Sequence, residues 1–109
     1  MTSIPVERLA EAIRAEIVNS GNFTGAVTID PVSSEPWASV TFCGARHHLT
    51  VVFDGAGAVG AAADVLDRLS DLEIDLPGQI LADLALRAEA RHDDGAHASL
   101  ELEALTIEE

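Results

Sequence analysis

Between Gln79 and Ala104 the chain alternates apolar and polar residues on both sides of an Asp93-Asp94-Gly95 turn signal, and this pattern restricts the fold more than any other feature. Ile80, Ala82, Leu84, Leu86, Ala88 and Ala90 alternate with Gln79, Asp83, Arg87, Glu89 and Arg91. Beyond the turn, Ala98, Leu100, Leu102 and Ala104 alternate with Ser99, Glu101 and Glu103. A two-residue period sends every second side chain to one face of a strand, so a long β-hairpin with one buried face is expected here. Local propensity opposes this, because QILADLALRAEAR is composed largely of good helix formers. Packing of a half-buried face overrides propensity, and the matching alternation on either side of a glycine turn decides for strands. Leu105 and Ile107 break the pattern and suggest a bulge, or a strand end that changes its buried face.

The rest of the chain supplies the partners of that hairpin. From Ser3 to Asn19 the larger apolar residues Val6, Leu9, Ile13 and Ile17 fall three and four apart, the stripe of an amphipathic helix. Ser3 suits its N-cap, Pro5 its first turn and Glu7 the positive end of its dipole, while Asn19 to Asn22 supplies stop residues. Alternation from Phe23 to Asp30, Trp37 to Cys43 and His47 to Asp54 predicts three strands, joined by a loop over 31–36 and a tight Gly44-Ala45 connection. Over 55–72 the period becomes helical, with Val59, Ala62, Ala63, Leu66 and Leu69 on one side and Asp64, Asp67, Arg68 and Asp71 on the other. The expected fold is therefore α+β, a single domain over residues 1–109 in the order α-β-β-β-α-β-β. Its antiparallel sheet has five strands, with two helices on one face. The open face is expected to carry Thr24, Thr28, Thr50, Val52, Arg87, Glu89, Glu101 and Glu103.

At 109 residues the chain suits one core rather than two, and 48% apolar residues suffice to build it. Nineteen acidic residues against six arginines give a formal charge of −13. Such a surface repels nucleic acid and anionic membranes, which are bound chiefly through Lys and Arg, so direct DNA or RNA reading is excluded. It favours a basic partner, although solubility alone is its plainest meaning. Cys43 is the single cysteine, which precludes an intrachain disulfide and fits a reducing compartment. The N-terminal residues have no basic stretch leading into an apolar run, and no segment approaches a membrane span. A cytoplasmic, unprocessed chain is expected.

Residues 3–72 have the element order of a double-stranded RNA-binding domain. That family offers lysines from its second helix to phosphates, whereas this helix carries Asp64, Asp67 and Asp71, so its function is not implied. The full order and the acidic charge are similar to class I type III secretion chaperones. This resemblance of order and charge implies a small cytoplasmic homodimer that holds a partner segment in extended form.

Several residue sets invite chemistry. Gly55, Gly57 and Gly60 satisfy G-x-G-x-x-G after a strand, with Asp75 about twenty residues on, but a dinucleotide site needs a βαβ unit that a meander does not supply. His47 and His48 are adjacent on a strand and point to opposite faces, His47 reading as a core-edge histidine satisfied by a hydrogen bond. His92 and His97 flank the hairpin turn beside Asp93 and Asp94, a nitrogen and oxygen set that a divalent ion accepts but that reads first as a solvated turn. Cys43 and His48 face each other across the expected short hairpin without any signature of an activated thiol. The acid pairs Asp93-Asp94 and Glu108-Glu109 read as a turn and a solvated tail.

Asp64, Asp67, Asp71, Glu73 and Asp75 form the acidic stripe expected to bind a partner. The sequence reading is a non-enzymatic, protein-binding module, an adaptor, chaperone or inhibitor, with a basic protein partner or a second copy of itself and no cofactor or metal. One alternative is an acidic mimic of nucleic acid that inhibits a nucleic-acid-binding protein. Another is a small ligand-binding domain or enzyme using Cys43 and His48, or the glycine segment 55–60.

Overall fold

Helix α1 spans Val6–Ser20 and follows from its apolar spacing: Leu9, Ile13 and Ile17 are buried and Val6 is half-buried. A computed structural model describes residues 6–72, 74 and 76–108, so the expected Ser3 cap and Pro5 lie outside the described residues. Glu7 sits in the first turn as expected. Arg14 ties the helix to the sheet, its Nε donating to the Val27 carbonyl oxygen at 2.8 Å.

Four strands follow, β1 (Ala26–Ala38), β2 (Cys43–Asp54), β3 (Gln79–Arg91) and β4 (His97–Glu108), in one antiparallel sheet of spatial order β1-β2-β4-β3. The expected count of five is corrected to four. Residues 31–36, expected to be a loop, continue β1, and the expected strand over 37–43 does not exist separately. Two prolines suggested a loop, but β1 is an edge strand, where a missing N–H leaves no ladder bond unmade, and a bulge between Pro31 and Ser33 absorbs the distortion. The chain reverses at residues 39–42. There the Ser39 N–H donates to the Phe42 carbonyl at 2.7 Å and the Phe42 N–H donates to Ser39 Oγ at 3.1 Å.

Gly44 is therefore not a turn residue. It lies inside β2, where an added Cβ would collide with the Thr106 carbonyl of β4. The order is α-β-β-α-β-β, so the α-β-β-β-α run behind both family resemblances is not present.

The hairpin at residues 79–108 is a strand pair, as its alternation predicts, with packing overriding helix propensity. Ala98, Leu100, Leu102 and Ala104 are buried on one face and pair in register with Phe53, Val51, Leu49 and His47 of β2. Together with Leu9, Ile13 and Ile17 of α1, and Ala58, Ala62 and Val65 of α2 (Ala58–Asp67), the apolar members of this inner face form one core cluster. No face switch occurs after Ala104: Thr106 is also buried, while Leu105 and Ile107 stay on the outer face, half-buried.

On β3 the expected apolar row is broken. Bulges between Leu81 and Asp83, and between Leu86 and Ala88, each shift the register, and a one-residue slip moves side chains to the other face. Leu81, Leu84 and Leu86 consequently align with the inner face, and Ile80, Ala88 and Ala90 with the outer one.

Helix α2 begins at Ala58 because Gly57, at φ 84°, holds the left-handed conformation ahead of it. Its buried stripe is Ala58, Ala62 and Val65, one position away from the expected face, and Ala63 is exposed. A single 3₁₀ turn over Leu69–Asp71 follows. The helix is shorter than the expected 55–72.

Candidate functional site

Strand register arranges the outer face in rows. At one end Trp37, Gly44, Ile107 and Ile80 align across the four strands, then Glu35, Arg46, Leu105 and Asp83, then Ser33, His48, Glu103 and Ala85. Thr28, Thr50, Val52, Glu101 and Glu103 occupy this face as expected. Glu89 pairs with Leu100 and aligns with the inner face, a consequence of the second bulge, and Thr24 precedes β1.

Glu103 sits between two arginines: Arg46 Nε lies 2.8 Å from its Oε1 and Arg87 Nε 3.2 Å from its Oε2. At the opposite end Asp54 pairs with His97 across β2 and β4, and the His92 N–H donates to the His97 carbonyl at 3.0 Å. His97 Nδ1 is 2.5 Å from Asp54 Oδ1, and its ring centroid is 5.4 Å from that of His92. The hydrogen bond that His97 donates to Asp54, assisted by the Asp54 and Asp94 charges, raises the His97 pKa above the ordinary imidazole value.

The inner face holds a hydroxyl–imidazole chain that sequence reasoning only partly reached. His47 is buried, with Nδ1 2.7 Å from Ser34 Oγ and Nε2 3.2 Å from Thr106 Oγ1. Thr106 Oγ1 donates onward to the Ala45 carbonyl at 3.3 Å, so it accepts from His47 Nε2–H, and Ser34 donates to Nδ1. Burial, and then the neighbouring His48, lowers the His47 pKa and keeps the ring neutral. Ser34 and Thr106 join His47 only through pairing of β1, β2 and β4, which local spacing does not reveal.

Cys43 and His48 do not meet. Both lie on β2, five residues apart and on opposite faces, because the tight turn expected at Gly44-Ala45 is instead continuous strand. Cys43 Sγ donates to Glu108 Oε2 at 2.7 Å, and this bond, then burial and the Glu108 charge, raises the thiol pKa, which disfavours the nucleophilic thiolate.

Of the acidic stripe, Asp64 and Asp67 are exposed on α2 and Asp71 on the 3₁₀ turn, while Glu73 and Asp75 lie outside the described residues. Arg68 interrupts the row, donating from Nε and Nη2 to Asp64 Oδ2 at 3.2 and 2.9 Å. The helix brings Asp64 and Arg68 to the rim of a cleft of about 340 Å³ between the end of α1 and α2, with Phe23, Phe53, Gly57 and Gly60 among its lining. Phe23 and Phe53 meet there at a centroid distance of 6.0 Å. The glycines do not form a dinucleotide fold: the strand after α2 is the edge strand β3, antiparallel to β4, so there is no βαβ unit.

No described helix is long and apolar enough to cross a membrane. Among the described residues no three His, Cys, Asp or Glu side chains already converge to hold a metal ion. No protein-family model matches the chain, and no curated protein matches it in sequence, so a functional reading rests on its own residues.

Proposed function

We propose that the chain is a small, acidic, non-enzymatic protein-binding module that takes an extended partner segment along the outer edge of β3. The observation behind this reading is the edge itself. β3 ends the sheet, runs for 13 residues and is exposed from Leu86 to Arg91 regardless of face. Unpaired backbone N–H and C=O groups on such an edge are a template for another strand. Both edges carry bulges, but only β1 also holds Pro31 and Pro36, which have no N–H to offer an added strand.

Ile80 and Leu86 are 51% and 38% exposed on β3 and offer apolar contacts to an added strand. We read both helices as covering the inner face, because their buried residues share a cluster with it. The exposed acids Asp64, Asp67 and Asp71, with Glu73 and Asp75 following them in the sequence, favour a basic segment. Pairing of two β3 edges would give a homodimer, whereas a foreign segment would make the protein an adaptor, chaperone or inhibitor. The module is proposed to work in the cytoplasm, where Cys43, the single cysteine of the sequence, stays reduced.

Affinity capture from native lysate with mass spectrometry, run in parallel on Ile80→Lys/Leu86→Lys and on Asp64→Lys/Asp67→Lys/Asp71→Lys, tests the reading. Edge lysines are expected to abolish capture of a partner that wild type retains. Equal capture by the edge variant would refute the edge, and equal capture by the charge-reversed variant would reduce the acids to a solvated surface.

The cleft favours a second reading, a small-ligand-binding domain built on the glycine segment. An added Cβ at Gly60 meets nothing within 4 Å, so Gly60→Leu extends toward open space without backbone collision. A ligand-dependent thermal shift present in wild type and lost in that variant would establish it. The nucleic-acid-mimic reading ranks below both, because Arg68 neutralises Asp64 within the row that would imitate phosphates.

A further inference from the structure

Asp54 of β2, His97 of β4 and His92, the residue that follows β3, lie together and present two imidazoles and a supporting carboxylate. We propose that His92 and His97 form a binding site for a borderline divalent transition ion, Cu²⁺ or Zn²⁺, with Asp54 positioning His97.

Spacing is the first support. An imidazole nitrogen about 2.0 Å from a metal places the ring centroid about 3.2 Å from it, so two such rings lie about 5.2 Å apart around a tetrahedral ion such as Zn²⁺ and about 4.5 Å apart at adjacent positions of tetragonal Cu²⁺, which requires a further ring movement of about 1 Å. The observed separation is 5.4 Å, with the ring planes 71° apart. Asp54 is the second support. By accepting from His97 Nδ1–H it fixes the tautomer and leaves Nε2 with the lone pair, the carboxylate–histidine arrangement found behind metal ligands.

The third support is the rigidity of the frame. The His92 and His97 main chains are hydrogen bonded at 3.0 Å, Gly95 N–H donates to the His92 carbonyl at 3.0 Å, and Asp94 Oδ1 accepts from Ala96 N–H at 2.8 Å. The rings therefore approach one another without an ordering cost in the loop. A shallow depression lined by Val52, Asp54, His92, His97, Ala98 and Ser99 leaves room beside them. Water fills the other coordination positions, since no third side chain converges. Nitrogen donors select against Mg²⁺ and Ca²⁺, and the order of intrinsic affinities puts Cu²⁺ above Zn²⁺. This inference is independent of the β3 edge reading.

Calorimetric titration of the metal-free full-length protein at pH 8 with copper, zinc and magnesium chlorides tests it. The expected result is one equivalent of Cu²⁺ bound more tightly than Zn²⁺, with no response to Mg²⁺. His92→Asn and His97→Asn are each expected to weaken binding at least about tenfold, as loss of a ligand must. Asp54→Asn is expected to weaken it about tenfold at unchanged stoichiometry, and His48→Asn, three rows away on the same face, to match wild type. Circular dichroism shows whether each variant is folded, and these exposed positions are expected to tolerate the changes. Absence of binding, unchanged affinity in either His92→Asn or His97→Asn, or an equal loss in His48→Asn would overturn the site. Unchanged affinity in Asp54→Asn would overturn the positioning role.

Discussion

Two histidines titrate with opposite consequences because their surroundings differ. His47 is buried without a counter-charge, so its folded pKa lies below the ordinary value of about 6.5, and the unfolded chain binds the proton more readily. Its contribution to stability is present above about pH 6.5 and is lost as pH falls through the folded value. His97, exposed and bonded to Asp54, has a raised folded pKa. Its contribution is complete below the ordinary value and disappears as pH rises through the folded one. Urea denaturation across this range is therefore expected to show stability falling toward acid in both wild type and Asp54→Asn. The decline on the alkaline side of the ordinary imidazole value should be weaker in the variant; equal declines would remove His97 from the account. Nitrogen-15 spectra are expected to show His47 as the Nε2–H tautomer, and Ser34→Ala, which leaves buried Nδ1 without a donor, to cost about 1–3 kcal/mol.

Within the elements, what the sequence made legible was whatever depended on local period. The α1 stripe, the inner row of β4 and the strand state of residues 79–91 all follow from spacing of three to four or of two. Where local signals failed, non-local pairing decided the outcome. Pro31 and Pro36 signal a loop unless the strand is known to be an edge, and Gly44 signals a turn unless its neighbour in β4 is known to leave no room for a Cβ. The bulges of β3 likewise leave no mark in the alternation, so Ile80 and Ala88, expected in the buried row, lie on the outer face instead. Among the sites, the acidic residues of α2 were visible, but Asp54 beside His97 and Ser34 beside His47 exist only through cross-strand register. Gly44 gives the sharpest check on this account. Gly44→Ala is expected to destabilise by about 1–3 kcal/mol in chemical denaturation, as overpacking against fixed backbone does. Gly44 has no positive φ that would strain an alanine, so the cost reports the contact with the Thr106 backbone alone, and a neutral result would remove that close approach from the account.

At the scale of the whole molecule, a formal charge of −13 is carried on a body of only 48 × 23 × 21 Å. The ion pairs that involve arginine lie largely at the surface, where each contributes roughly 0–1 kcal/mol, too little to offset repulsion among so many carboxylates. Raising the ionic strength from about 0.01 M to about 0.15 M shortens the screening length from roughly 30 Å, which spans most of the molecule, to roughly 8 Å. Repulsion across the sheet is then screened while adjacent pairs are much less affected, so the urea midpoint of the isolated protein is expected to rise with sodium chloride. Binding of a basic partner should respond in the opposite direction, because its attraction to the same carboxylates is screened too. Measured on one preparation, the two salt dependences separate self-repulsion from recognition. A midpoint independent of salt would show that the arginines already balance the acids locally, and a partner whose affinity ignored salt would be held by the apolar and backbone groups of β3 without help from the charge.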